Sequence, residues 1–191
     1  MNIHFQRAGS VILTLTILAI LPATPAAADD KAELKIEMAG GRLLLTAPEA
    51  WQRKEPKFGI IQHEFAVPAS AGDGQDGRVT IMGALGGVEA NIERWYGQFV
   101  QPDGSSTREK AKQETFEAAG QKVHLVDLSG TYLDRPRPAA PAVERENYRM
   151  LAGIIESQKY GLQFIKFYGP RQTVSDHEEA FGRMLKQLKV Q

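Results

Sequence analysis

Residues 121–133, QKVHLVDLSGTYL, decide how the chain folds. Read as an extended strand, this run puts Val123 and Leu125 on one side and Val126 and Leu128 on the other, because successive side chains point to opposite faces. Residues 146–157, ENYRMLAGIIES, repeat the pattern with Leu151 and Ile155 against Met150 and Ile154. A strand apolar on both faces belongs to a sheet covered on both faces.

Working outward, the period-2 segments dominate. LKIEM and RLLLTAP flank Gly40-Gly41 and predict a hairpin at the start of the sheet. FGIIQHEFAVP (residues 58–68), RVTIMGA, KQETFEA and YGLQFIKFYG predict further strands. ASAGDGQDG reads as a loop, and short junctions at Gly120-Gln121 and at residues 159–161 read as hairpins. Sequential hairpins predict a mainly antiparallel sheet of about seven or eight strands. Two amphipathic helices interrupt it. In GVEANIERWYGQFVQ, Val88, Ile92, Trp95, Tyr96 and Phe99 recur at helical spacing. In TVSDHEEAFGRMLKQLKV, Phe181, Met184, Leu185 and Leu188 form the stripe, and Ser175 with Glu178 predicts a capping box. The expected fold class is α+β, a single-domain α/β/α sandwich on a mainly antiparallel sheet of about seven strands with two main helices.

At the N-terminus Arg7 precedes the uncharged residues 8–21, AGSVILTLTILAIL, and then PATPAAADD. That is the pattern of a secretory signal peptide, residues 1–28, cut between Ala28 and Asp29. The apolar run is shorter than the roughly 20 residues a membrane helix needs. Residues 29–191 then form a single globular α/β domain, expected to be periplasmic or secreted and without a membrane span. The chain has no cysteine, so no disulfide holds it and no lipid is attached through a thiol. With 23 basic and 23 acidic residues, nothing points to nucleic acid or an anionic membrane as partner.

Chemistry-bearing motifs are few. The glycines of MGALGGVEANIERW (residues 82–95) match neither G-x-G-x-x-G nor the P-loop, and Glu89 stands where an anion would sit; a strand-to-helix turn accounts for them. Neither His-Glu dipeptide completes H-E-x-x-H, since Val67 follows His63 by four residues and Phe181 follows His177 by four. His63 and His124 lie on apolar strand faces, where a histidine is more often a hydrogen-bonded core residue than a ligand. Asp73 and Asp76 fall short of a calcium loop. Ser129 lacks a nucleophile elbow, and Gly130 marks a β-bulge. No cofactor is indicated. In LDRPRPAAPAVER (residues 133–145), three prolines stiffen an arm on which Arg135, Arg137 and Arg145 can offer donors to a partner; the same composition also makes a rigid linker.

Taken together, TAPEAWQRKEP, EFAVP, EANIERWYGQF, QPDG, HLVDLSGTY, ENYRMLAGII and KFYGP with AFGRMLKQLKV resemble a family of small exported proteins of unknown function from planctomycete-type bacteria, from about Gly41 to the end. More distantly, the strand order, an apolar P..W segment near the start and the closing helix resemble the PsbP-like fold. That fold is shared by the extrinsic photosystem II subunit and a nuclear Ran-release factor. The resemblance implies a non-catalytic binding or assembly protein and carries over no functional residue. The expected function is therefore an exported binding or assembly module of the cell envelope, more a binding protein than an enzyme, with another envelope protein or a small ligand as partner. The alternative is an enzyme or metal site assembled from His63, His124 and Asp127.

Overall fold

The computed structural model describes residue 1, residues 34–135 and residues 140–191. The expected signal peptide, with its cleavage site at Ala28 and Asp29, lies outside the described residues, as does Arg137.

The main sheet is antiparallel at every pairing and runs β3 (Gln52–Lys54), β4 (His63–Val67), β5 (Gly77–Ala84), β10 (Gly161–Pro170), β9 (Val143–Ser157) and β8 (Gln121–Asp134). The outer edge of β8 pairs with both β7 (Lys112–Ala118) and β6 (Phe99–Val100), which are joined through the short helix α2 (Thr107–Lys110). The hairpins expected at Gly120 and at residues 159–161 form as β7–β8 and β9–β10. The hairpin LKIEM–RLLLTAP also forms, as β1 (Leu34–Met38) and β2 (Leu43–Ala47). It does not open the main sheet. It pairs instead with β11 (Lys189–Val190) in a separate three-stranded sheet.

The two-sided apolar pattern of β8 and β9 generates two cores. On one face Val123, Leu151, Ile155, Ile165 and Phe167 meet Ile36, Met38, Leu43 and Leu45 of the small sheet and Phe181, Met184 and Leu185 of α4 (Glu178–Lys186). Trp51 lies in this core against Phe65, Phe167 and Phe181, with ring centroids 5.7–6.4 Å apart. Gly153 lets α4 come close: a Cβ there would stand 2.9 Å from a Leu185 methyl. On the other face Val126, Leu128, Met150, Ile154 and Phe164 meet Ile92, Trp95 and Tyr96 of α1 (Val88–Tyr96). Helices on opposite faces of an antiparallel sheet make the expected α/β/α arrangement.

The capping box is not formed. The chain makes two helices, α3 (Arg171–Asp176) and α4, joined at His177, and Ser175 lies inside α3. Its hydroxyl donates to the Arg171 carbonyl at 2.7 Å and accepts from Arg149 Nη1 at 3.0 Å, while Glu178 accepts from the same nitrogen at 2.7 Å. Arg149 also grips Asp127 with two bonds of 2.8 and 2.9 Å. A tertiary guanidinium has taken both groups that a local cap would have used.

Candidate functional site

The strand-to-helix turn at residues 85–87 is closed from within. Asn91, only 2 % exposed, donates through Nδ2 to the carbonyls of Leu85 and Gly87. Glu89 lies in the first turn of α1, where a carboxylate complements the helix dipole. The aspartates of the 69–76 loop serve its anchorage: Asp73 accepts from Thr173 N and Oγ1, and Asp76 accepts from Ala69 N.

The histidines are not brought together. The pleat sends His63 to the face of Phe65 and Asp127 to the same face beside Leu151, while His124 pairs with Ile154 on the opposite face. Between β4 and β8 lie three intervening strands, a separation of roughly 19 Å at about 4.8 Å per strand. Each group has its own structural task. His63 Nε2 donates to the Glu37 carbonyl at 2.7 Å and Nδ1 accepts from Arg53 at 3.0 Å. His124 bridges Thr115 and Glu156, and that bond from His124 is the main cause that lowers the Glu156 carboxyl. The alternative site made of His63, His124 and Asp127 is therefore not assembled by the fold.

What the fold does assemble is a cleft of about 470 Å³ beside the ends of β8, β9 and β10. Its lining includes Tyr132, Tyr148 and Tyr168, with Arg78 and Glu64 below and Lys57, Arg135 and Arg145 on the walls. The tyrosines converge because antiparallel pairing puts the end of β8, the start of β9 and the end of β10 at one margin of the sheet. The rings of Tyr132 and Tyr148 are parallel within 5° at 6.0 Å, and Tyr168 leans on Tyr132 at 5.3 Å.

A bulge completes the set. Gly130 pairs with Tyr148 and Tyr132 with Arg145, so β9 carries one extra residue across this step. Asn147 takes a positive φ of 53° there, and Gly130 one of 146°, with the Val100 carbonyl 2.7 Å from where a Cβ would stand. In an unbroken strand Arg145 would face away from Tyr148. The extra residue reverses its side and turns it into the cleft, a common use of a bulge.

The cleft is held rigidly from beneath. Arg78 donates two bonds of 2.9 Å to the Glu64 carboxylate and a third, of 2.6 Å, to the Tyr168 hydroxyl; the Glu64 bond is the main cause that raises the guanidinium pKa. The Tyr148 hydroxyl donates to Gln75 at 2.9 Å, and the loop bearing Gln75 is tied to α3 through Asp73. Burial pushes the hydroxyls of Tyr132, Tyr148 and Tyr168 up, so all three stay protonated at neutral pH. Tyr132 is only 8 % exposed, its ring packed against Phe99, Tyr148 and Tyr168. Behind the floor, Lys166 donates to Gln98 at 2.9 Å and lies 5.8 Å from the Trp95 ring and 5.6 Å from that of Tyr168. Burial, then repulsion from Arg94 and Arg78, pushes its ammonium down to about 8.

The fold is similar to that of cyanobacterial PsbP (CyanoP) from Synechocystis sp. PCC 6803. That solution structure superposes with a TM-score of 0.51 over 89 % of this chain and 99 % of that one, at 10 % identity. The fold is PsbP-like. A second similar structure, LpqN involved in cell envelope biogenesis of Mycobacterium tuberculosis, gives a TM-score of 0.43 at 11 % identity, covering 83 % of this chain and 90 % of that one. No family model and no curated protein matches the sequence. The PsbP-like expectation thus holds for the fold, while the likeness to small exported proteins rests on the quoted motifs alone.

Two of the three arginines singled out from the sequence, Arg135 and Arg145, line the cleft. The tyrosines, Arg78 and Glu64 were not singled out. Their signal was a tyrosine near one end of each of three consecutive strands, in GTY, ENY and KFYG, and it becomes meaningful only once the hairpins are closed. No helix among the described residues is long and apolar enough to cross a membrane.

Proposed function

We propose that this chain is an exported, non-catalytic binding or assembly module of the cell envelope, and that the tyrosine-floored cleft is the surface that holds its ligand or partner. The observation that carries this reading is the convergence of Tyr132, Tyr148 and Tyr168 with Arg145 on one cleft of about 470 Å³, the tyrosines braced by one another and by Arg78 and Gln75. Rigid aromatics with satisfied supports bind with little loss of side-chain entropy. Export is supported by the leader-like residues 1–28, and it puts the protein in the periplasm or outside the cell.

The test is native mass spectrometry of the protein purified gently from its own envelope, alongside the double variant Tyr148→Ala/Arg145→Ala. A stoichiometric protein or small-molecule adduct that disappears in the variant is the expected result. A bare monomer in both, or an adduct that survives the substitutions, overturns the cleft as the binding surface. The mass of the bare chain also reports whether the first residue is Asp29.

A further inference from the structure

The chemistry lining the cleft is mixed in a way that narrows its ligand. Its floor is aromatic, and its walls place the carboxylates of Glu64, Asp76 and Asp134 among the cations Lys57, Arg78, Arg135 and Arg145. An aliphatic ligand would leave these groups desolvated and unpaired, at a cost that removes any gain from burial. A ligand dense in hydroxyls, each both donor and acceptor, answers both kinds of wall.

We infer that the ligand is an acidic sugar unit, a saccharide ring carrying a carboxylate. This rests on the reading of the cleft as the binding surface. One face of the Tyr148 ring is taken by Tyr132 and its hydroxyl is fixed by Gln75, so contact with a ligand falls to its other face and edge. An aromatic face is electron-rich and attracts the weakly positive C–H bonds that line one side of a pyranose ring. The Tyr132 hydroxyl reaches a sugar hydroxyl from below, and its elevated pKa keeps it a donor.

Charge supplies the carboxylate. Among the described residues of the lining, four cations stand against three acids, so one negative charge balances them and a phosphate dianion exceeds them. Arg78 is committed to Glu64 and Tyr168. Arg145 touches Asp134 through one nitrogen at 3.5 Å, which leaves an edge of its guanidinium for the paired bonds a carboxylate accepts. Among the described residues, Lys57 and Arg135 have no acidic partner. A volume of about 470 Å³ lies within the roughly 300–1,000 Å³ of small-molecule sites.

The experiment is isothermal titration of the purified protein with trigalacturonic acid, a glucuronate-containing disaccharide and sialyllactose. The neutral cellotriose and the acidic tripeptide triglutamate serve as controls. At least one acidic sugar is expected to bind about tenfold or more tightly than either control, a factor equivalent to about 1.4 kcal/mol. Arg145→Gln and Tyr148→Ala are each expected to weaken that binding about tenfold, while Tyr148→Phe, which keeps the ring, retains most of it. Equal binding of cellotriose overturns the role of charge, and equal binding of triglutamate overturns the sugar ring. Binding of none of the acidic sugars, or binding indifferent to Arg145 and Tyr148, overturns the inference as a whole. A cleft-dependent adduct in native mass spectrometry without sugar binding would leave the binding reading standing with a different ligand.

Discussion

The two faces of the main sheet solve the same problem to different extents. One face is covered by α3, α4 and the small sheet, and its aromatic residues are Trp51, Phe65, Phe167 and Phe181. The other is covered by α1, nine residues long, whose Trp95 packs edge-on to Phe164 at 5.2 Å. Beyond the reach of that helix the apolar layer stops, and the aromatics become Tyr132, Tyr148 and Tyr168. A tyrosine joins an apolar body to a polar tip and suits a surface that is dry on one side and wet on the other. The incomplete face is where recognition chemistry is affordable, because its polar groups can meet a ligand without breaking a core.

That contrast can be broken, and the largest test is in the covered face. Phe181→Ala should destabilise the protein by about 3–5 kcal/mol, as loss of a fully buried aromatic does, seen as a lowered urea midpoint with an unchanged slope. Arg149→Ala should follow at about 2–3 kcal/mol, since it strands the partly buried Asp127 carboxylate and unties the α3–α4 junction from the sheet. Retention of full stability by Arg149→Ala would show that the junction is held by the apolar stripe of α4 alone.

The open face should behave in the opposite sense. Lys166→Met replaces a desolvated cation and should stabilise the protein by about 1–2 kcal/mol at pH 7. The Lys166 pKa is about 8 in the folded state against an ordinary 10.5, so between those values the unfolded chain binds more protons and stability rises with pH. The tyrosines, raised by burial, oppose this only above about pH 10. Urea midpoints should therefore climb from pH 7.5 to 9.5 in the wild type and stay flatter in Lys166→Met. The smallest effect belongs to the cleft: Arg145→Gln and Tyr148→Phe should shift stability by less than about 0.5–1 kcal/mol, as surface changes do, and of the two only Arg145→Gln should weaken ligand binding. If they cost as much as Phe181→Ala, the cleft is core and the contrast between the faces fails.

Most of the scaffold was legible because its signals are local. Alternation marked β5, β7, β8, β9 and β10, helical spacing marked α1 and α4, and glycine at tight junctions marked the hairpins. Gly130 was readable as a bulge. FGIIQHEFAVP was read too long: only His63–Val67 is strand, the residues before it turning at the margin of the sheet.

Four features were decided by tertiary structure. The β1–β2 hairpin stands apart from the main sheet because Ile36, Met38, Leu43 and Leu45 pack on that sheet's face, and its edge pairs instead with β11, far away in sequence. Ser175 and Glu178 matched a capping box, but Arg149 from a neighbouring strand engaged both, and a charge-assisted bond outcompetes a neutral one. His63, His124 and Asp127 looked combinable in one dimension, and the pleat and strand order put them on different faces and strands. Arg145 and the tyrosines looked unrelated, until one extra residue in β9 turned the arginine onto their side. By itself the sequence determined which segments are strands and helices and which faces are apolar, since these follow from the period of neighbouring residues. Which side chains share a cleft depended on strand order and on a single shift of register, neither of which leaves a periodic trace in the chain.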